Sequence, residues 1–130
     1  MPAKKQKVGY VDGFVLVVPK DNVAAYKKMA KEGANVWMKN GALNYRECMI
    51  DDATPTWITF TFPKMAKAKP GDTVWFSYIE YTSKAHRNQV NKKVMALMEK
   101  QYGEGKDDVK KMPFDMKRMA YGGFKVVVSE

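Results

Sequence analysis

From Val8 to Val18 the chain is apolar on both of the faces that a β-strand presents. Val11, Val15 and Val17 fall on one parity, Tyr10, Phe14 and Leu16 on the other. A half-buried strand alternates apolar with polar residues, so a strand apolar on both parities needs cover on both sides. The fold must therefore place this segment inside a layered structure. The 130 residues available are the length of one domain.

The cover is legible downstream. Pro19 ends the first strand, Asp21 is the expected helix N-cap, and Val23, Tyr26, Ala30, Gly33 and Trp37 recur at helical spacing. Asn40-Gly41 marks the stop. Residues 42–51 read as a second strand, and the alternation from Trp57 to Phe62 suggests a short extra strand or the continuation of a hairpin. Pro63 to Gly71 reads as a basic loop, and Thr73 to Tyr81 as a strand rich in β-branched and aromatic residues. Ser83 is placed to cap a second helix whose stripe is Val90, Val94, Leu97 and Met98. Residues 103–117 read as a loop, and Met119 to Val128 as the last strand, with Gly122-Gly123 marking a bulge or a close backbone approach.

The order β-α-β-(short β)-β-α-β is the split βαβ arrangement of an α+β, ferredoxin-like fold: one antiparallel sheet with both helices on one face. Residues 1–7 form a basic tail and 8–130 the single domain. The face opposite the helices is left bare, and a second copy of the same sheet is its simplest cover. A homodimer is therefore expected.

Cys48 is the one cysteine and His86 the one histidine, which excludes an internal disulfide framework and argues against a zinc site. No signal peptide or membrane span is read, so a cytoplasmic chain with no metal and no cofactor is expected. Lys and Arg number 23 against 14 acids, a formal +9, which raises nucleic acid as a partner. The lysines are spread through nearly every segment, the pattern of a solvated surface, so nucleic acid is not the favoured partner. There is no Walker loop, no GxGxxG after a strand and no GxSxG elbow. The ten methionines read as core fillers.

Chemistry, if any, belongs to charges in apolar company. Glu47 shares a strand face with Leu43, Tyr45 and Met49, and Asp12 with Tyr10, Phe14 and Leu16. A carboxylate so placed is paired, hydrogen-bonded or protonated. The plain reading is an ion pair, for example of Glu47 with Arg118 or Arg87; the functional reading is an acid, base or ligand anchor. Arg118 is read on the face of the last strand that holds Ala120, Phe124 and Val126. His86 lies in the first turn of the second helix beside Lys84 and Arg87, where free amides attract anions. The catalytic candidates are Glu47 and His86; the ligand-binding candidates are Asp12, Arg87, Asp115 and Arg118.

Four stretches carry a family resemblance: Tyr10-Val11-Asp12-Gly13-Phe14, Tyr45-Arg46-Glu47-Cys48, Ser83-Lys84-Ala85-His86-Arg87-Asn88, and the long run from Met112 to Phe124. The chain resembles the YbaA-like family of uncharacterised bacterial proteins from about Val8 to its end. The resemblance implies the dimeric α+β barrel, in which two ferredoxin-like sheets face each other, and it implies no established activity. Asn88 departs from the aspartate that the family pattern favours. The expected function is a homodimeric small-molecule-binding protein. The alternatives are a cofactor-independent enzyme of monooxygenase or isomerase type, and an RNA-binding protein using Tyr121-Gly122-Gly123-Phe124-Lys125-Val126, which lacks the leading basic residue of the aromatic RNA-binding motif.

Overall fold

The computed structural model describes residues 7–102 and 112–130. Residues 1–6 of the basic tail and 103–111 of the 103–117 segment lie outside the described residues. The elements are β1 (Tyr10–Pro19), α1 (Val23–Lys39), β2 (Asn44–Met49), α2 (Phe62–Met65), β3 (Asp72–Tyr81), α3 (Lys84–Tyr102) and β4 (Ala120–Lys125). They form a four-stranded sheet ordered β2-β3-β1-β4, with antiparallel pairing between all neighbours. This is the βαββαβ order with one short helix added between β2 and β3.

β1 is the strand everything else is registered on. It pairs with β3 along its whole length, from Tyr10 opposite Tyr81 to Pro19 opposite Asp72, and with β4 from Tyr10 to Val15. Its even-numbered residues face the helices together with Trp75, Ser77, Ile79 and Tyr81 of β3. Leu16, Val18 and Trp75 pack with Tyr26 and Ala30 of α1. Ile79 and Tyr81 pack with Val90 and Val94 of α3, and Trp37 of α1 closes the same cluster. The helical stripes thus meet one sheet face, as binary patterning requires. Leu97 lies outside: it is exposed, and the α3 stripe runs Val90, Val94, Met98.

The starts and stops differ in detail from the sequence reading. A 3-10 turn at Lys20–Asn22 precedes α1, so Asn22 rather than Asp21 occupies the cap position, and no side chain bonds there. Gly41 takes φ +113°, a conformation that lets the chain leave α1 and turn into β2. Ser83 caps α3 through Oγ, which accepts from the His86 amide at 3.1 Å. β4 ends at Lys125, short of Val128, and contains no bulge: its register against β1 is unbroken. The two glycines serve close approach instead, because a methyl group at Gly123 would collide with the Tyr10 ring.

Residues 57–61 form no strand. The chain there makes turns and bends and enters α2, whose Thr61 cap accepts from the Lys64 amide at 3.4 Å. Ala66, just past α2, is buried against Val17 and Val74 on the sheet face away from the helices. The rest of that face stays open, with Phe76, Phe124 and Cys48 exposed on it. Leu16→Ala removes a fully enclosed side chain between β1 and α1. It is expected to destabilise the protein by about 2–5 kcal/mol, measured by urea unfolding.

Candidate functional site

The charged candidates resolve into three groups. The first lies between β1, β4 and the first turn of α3. Asp12 is 1% exposed, at the middle of the sheet's helix face. Arg87 Nη1 donates to its Oδ1 at 2.9 Å, and the Tyr121 hydroxyl donates to the same oxygen at 3.1 Å. Arg87 Nη1 also donates to the Tyr121 oxygen at 2.6 Å, and the guanidinium lies over the Tyr10 ring, 5.0 Å from its centroid. Asn88 Oδ1 accepts from Arg87 Nε at 2.8 Å, so the neutral amide engages the arginine. Burial pushes the Asp12 carboxyl above the ordinary range, against the pull of Arg87 and the tyrosine bond. The pair joins residues 75 apart in sequence and pins α3 to the sheet.

The second group lies under α1. Glu47 accepts from two tyrosine hydroxyls, Tyr26 at 2.7 Å on Oε1 and Tyr45 at 2.8 Å on Oε2. Burial, reinforced by the carboxylate, raises both phenols well above their ordinary value, which favours both hydroxyls as donors. The expected ion pair of Glu47 with Arg118 or Arg87 is not formed: both arginines are engaged elsewhere, and among the described residues Glu47 has no cationic partner. Tyr45 was within reach of sequence reasoning, two residues away on the same strand face. Tyr26 was visible only as a core position of α1.

The third group ties the return segment to the β3 entry. Arg118 lies in a 3-10 turn, Met116–Arg118, and not on the face of β4. Its Nε donates to Asp115 Oδ2 at 2.7 Å, and its Nη1 donates to Asp72 Oδ2 at 2.8 Å and to the Lys67 carbonyl at 2.9 Å. Lys67 is the one described non-glycine residue with positive φ, 56°, and the arginine holds its carbonyl. Asp115 also caps the turn by accepting from the Lys117 amide. Hydrogen bonds, from Lys69 and Arg118 to Asp72 and from Arg118 and Lys117 to Asp115, hold both carboxyls below the ordinary range. Asp72 was not singled out from the sequence.

His86 stands apart from all three. Its Nδ1 accepts from the Thr82 amide at 3.0 Å, and its ring meets Tyr81 edge-on at 5.7 Å. With Arg87 turned inward to Asp12 and His86 closing the Thr82 amide, the anion cradle expected from Lys84, His86 and Arg87 is not assembled. The structure therefore brings Asp12 to Arg87 and Asp115 to Arg118, and leaves Glu47 and His86 in separate surroundings. Among the described residues, no three His, Cys, Asp or Glu side chains cluster as metal ligands, and no helix is long and apolar enough to cross a membrane.

A groove of about 470 Å³ opens on the other side of the sheet. Val15, Val74 and Phe76 form its base, Ile50 and Phe62 lie along it, and Cys48 opens into it. Asp51 and Asp52 also border it. None of the six candidate residues lines it. Its one sequence signal was the parity of β2, which places Cys48 on the face opposite Glu47.

Two outcomes follow from these contacts. Tyr26→Phe leaves one Glu47 oxygen without its donor and is expected to cost about 1–3 kcal/mol in urea unfolding. Arg118→Ala removes the partner that lowers Asp72 and Asp115. A lowered folded-state pKa contributes stability above the unfolded value, near 3.8, and loses it as pH falls. The deficit of Arg118→Ala relative to the parent is therefore expected to be full at pH 7 and to shrink below pH 3.8, measured by urea unfolding at each pH.

Comparison with known proteins places this arrangement. The chain is 42% identical over 122 residues to the uncharacterized protein YbaA of Escherichia coli K12, an alignment covering 93% of this chain and 98% of that one. The Shigella flexneri protein of the same description matches equally. Among solved structures, a dimeric ferredoxin-like protein from an uncultured marine organism superposes with a TM-score of 0.57 at 13% identity, covering 98% of this chain and 94% of that one. At that identity the likeness shows the ferredoxin-like fold. The family model described as protein of unknown function (DUF1428) matches residues 9–116. The chain belongs to that YbaA-like family, for which no activity is established.

Proposed function

We propose that the protein is a homodimer whose open sheet faces meet, and that the groove on this face receives an apolar small molecule. The observation that carries the reading is the open face itself. Phe76 and Phe124 are exposed on it, Val15 is only partly covered, and a groove of about 470 Å³ runs along it. Contiguous apolar surface of this kind marks an interaction site, and the volume falls within the range of small-molecule pockets. The solved neighbour is itself described as dimeric.

The opposite side of the sheet supports the same choice. Asp12 is engaged by Arg87 and Tyr121, and Glu47 by two tyrosines. These residues hold the helices to the sheet, which fits positioning better than turnover. The RNA reading loses its geometry, because Tyr121 faces the helices while Phe124 lies on the open face, so one platform cannot present both aromatics.

Sedimentation equilibrium at micromolar concentration is expected to return twice the chain mass; a monomer overturns the dimer. The uncharged dye N-phenyl-1-naphthylamine serves as the apolar test compound. Its fluorescence is expected to rise on the dimer and to fall at least about tenfold in affinity in Val15→Phe, which fills the groove. Unchanged dye affinity in a dimeric Val15→Phe variant overturns the groove as the binding site.

A further inference from the structure

Residues 57–61 pose a separate problem. Trp57-Ile58-Thr59-Phe60-Thr61-Phe62 is composed of strong β-formers and runs straight through residues that a sheet would welcome. Yet it forms no strand within its own chain. Among the described residues, the one backbone–backbone bond made by an amide between Asp51 and Phe60 is Ile58 to the Pro55 carbonyl, at 3.3 Å. The Thr59 carbonyl accepts from Lys64 Nζ at 2.8 Å and the Thr61 carbonyl from the Met65 amide at 3.0 Å, but a β-patterned segment most of whose amides make no backbone bond is still a template for pairing with another chain.

Its side chains point to the same conclusion. Trp57 is 82% exposed and Phe60 69%, and Phe62 is half exposed within the same six residues. Tryptophan is rarely left in water to this degree. The segment is no loose loop end: Phe62 lines the groove, and Ala66, four residues on, is buried under Val17 and Val74. It therefore leaves from the margin of the open sheet face. Past β4 the Val126 amide still donates to the Gly9 carbonyl at 3.0 Å, and Val127 and Val128 beyond it are exposed.

We infer that residues 55–62 are an intersubunit arm. In the homodimer, Trp57 and Phe60 pack on the second copy, and the 57–61 backbone pairs with a strand of that copy. This rests on the homodimer proposed above and specifies which segment of each copy crosses to the other. Two-fold symmetry doubles the contact: four aromatic side chains bury on the order of 600 Å², about half of the smallest stable interface. The open sheet face is continuous with the arm and supplies the remainder. The occupant is a copy of this chain because the arm and the groove adjoin the bare face, so that a two-fold axis sets the arm of each copy against the face of the other, with Arg46, Asn44 and Glu80 forming a polar row along the β2 edge of that face.

Hydrogen exchange of the full chain, read by mass spectrometry at a concentration where sedimentation shows the dimer, tests the arm. Amides 57–61 are expected to exchange at least about a hundredfold more slowly than an unstructured peptide, and to lose that protection on dilution to monomer. The double variant Trp57→Ala/Phe60→Ala is expected to raise the dimer dissociation constant about a hundredfold with unchanged far-UV circular dichroism. A stable dimer whose 57–61 amides exchange freely overturns the arm and leaves the dimer standing. Protection that survives in the monomer, or a folded double variant with an unchanged dissociation constant, overturns it equally. If the double variant does not fold, the exchange pattern of the parent protein decides. A parent protein that is monomeric at all concentrations overturns dimer and arm together.

Discussion

Everything in this protein is arranged around a strand that cannot tolerate water on either side. Val17 and Val18 are adjacent on β1, point to opposite faces, and are both fully enclosed. Val18 is covered by α1, and Val17 by the segment that follows α2. The short helix between β2 and β3, easily dismissed as a loop ornament, therefore does for one end of the open face what α1 and α3 do for the whole of the other. Toward Val11 and Gly13, among the described residues, no element performs that service. The sheet is a finished sandwich at one end and half a sandwich at the other.

The polar groups follow from the same layering. Two helices on one face leave carboxylates at Asp12 and Glu47 inside, and each receives a different remedy. Asp12 takes a cation from α3 and a hydroxyl from β4; Glu47 takes two hydroxyls and no cation among the described residues. Buried ion pairs and charge-accepting hydrogen bonds contribute little net stability but are costly to break. Each therefore acts as a register pin: Asp12 fixes where α3 lands, Glu47 where α1 lands.

Strand parity was legible because it is a local property. It placed Asp12 with Tyr10, Phe14 and Leu16 and set Cys48 opposite Glu47, and the α1 stripe ended where Asn40-Gly41 indicated; which of the two faces the helices cover is decided by the fold. What the sequence could not express was company. Arg87 reaches Asp12 across 75 positions, and nothing in either segment names the other. Arg118 read as a strand residue because its neighbours alternate, but Asp115 accepts the Lys117 amide and curls the chain into a turn before the strand begins. The alternation at 57–62 was read as a strand because alternation encodes willingness to pair; whether a ladder is within reach depends on the fold. That misreading and the exposure of Trp57 and Phe60 have one physical origin.

β4 carries glycine at 122 and 123, opposite Gly13 and Asp12 of β1. A methyl group at Gly13 would come within 3.2 Å of the Phe124 ring, and one at Gly122 within 3.5 Å. The ring thus lies flat over bare backbone, with its outer surface exposed. At this patch the sheet is only one peptide thick between an aromatic plate on one side and the Asp12–Tyr121 oxygens on the other. Any side chain at 13 or 122 would lift the ring off the backbone and thicken the open face by the height of that group, so the glycines set how closely anything laid on this face can approach β1.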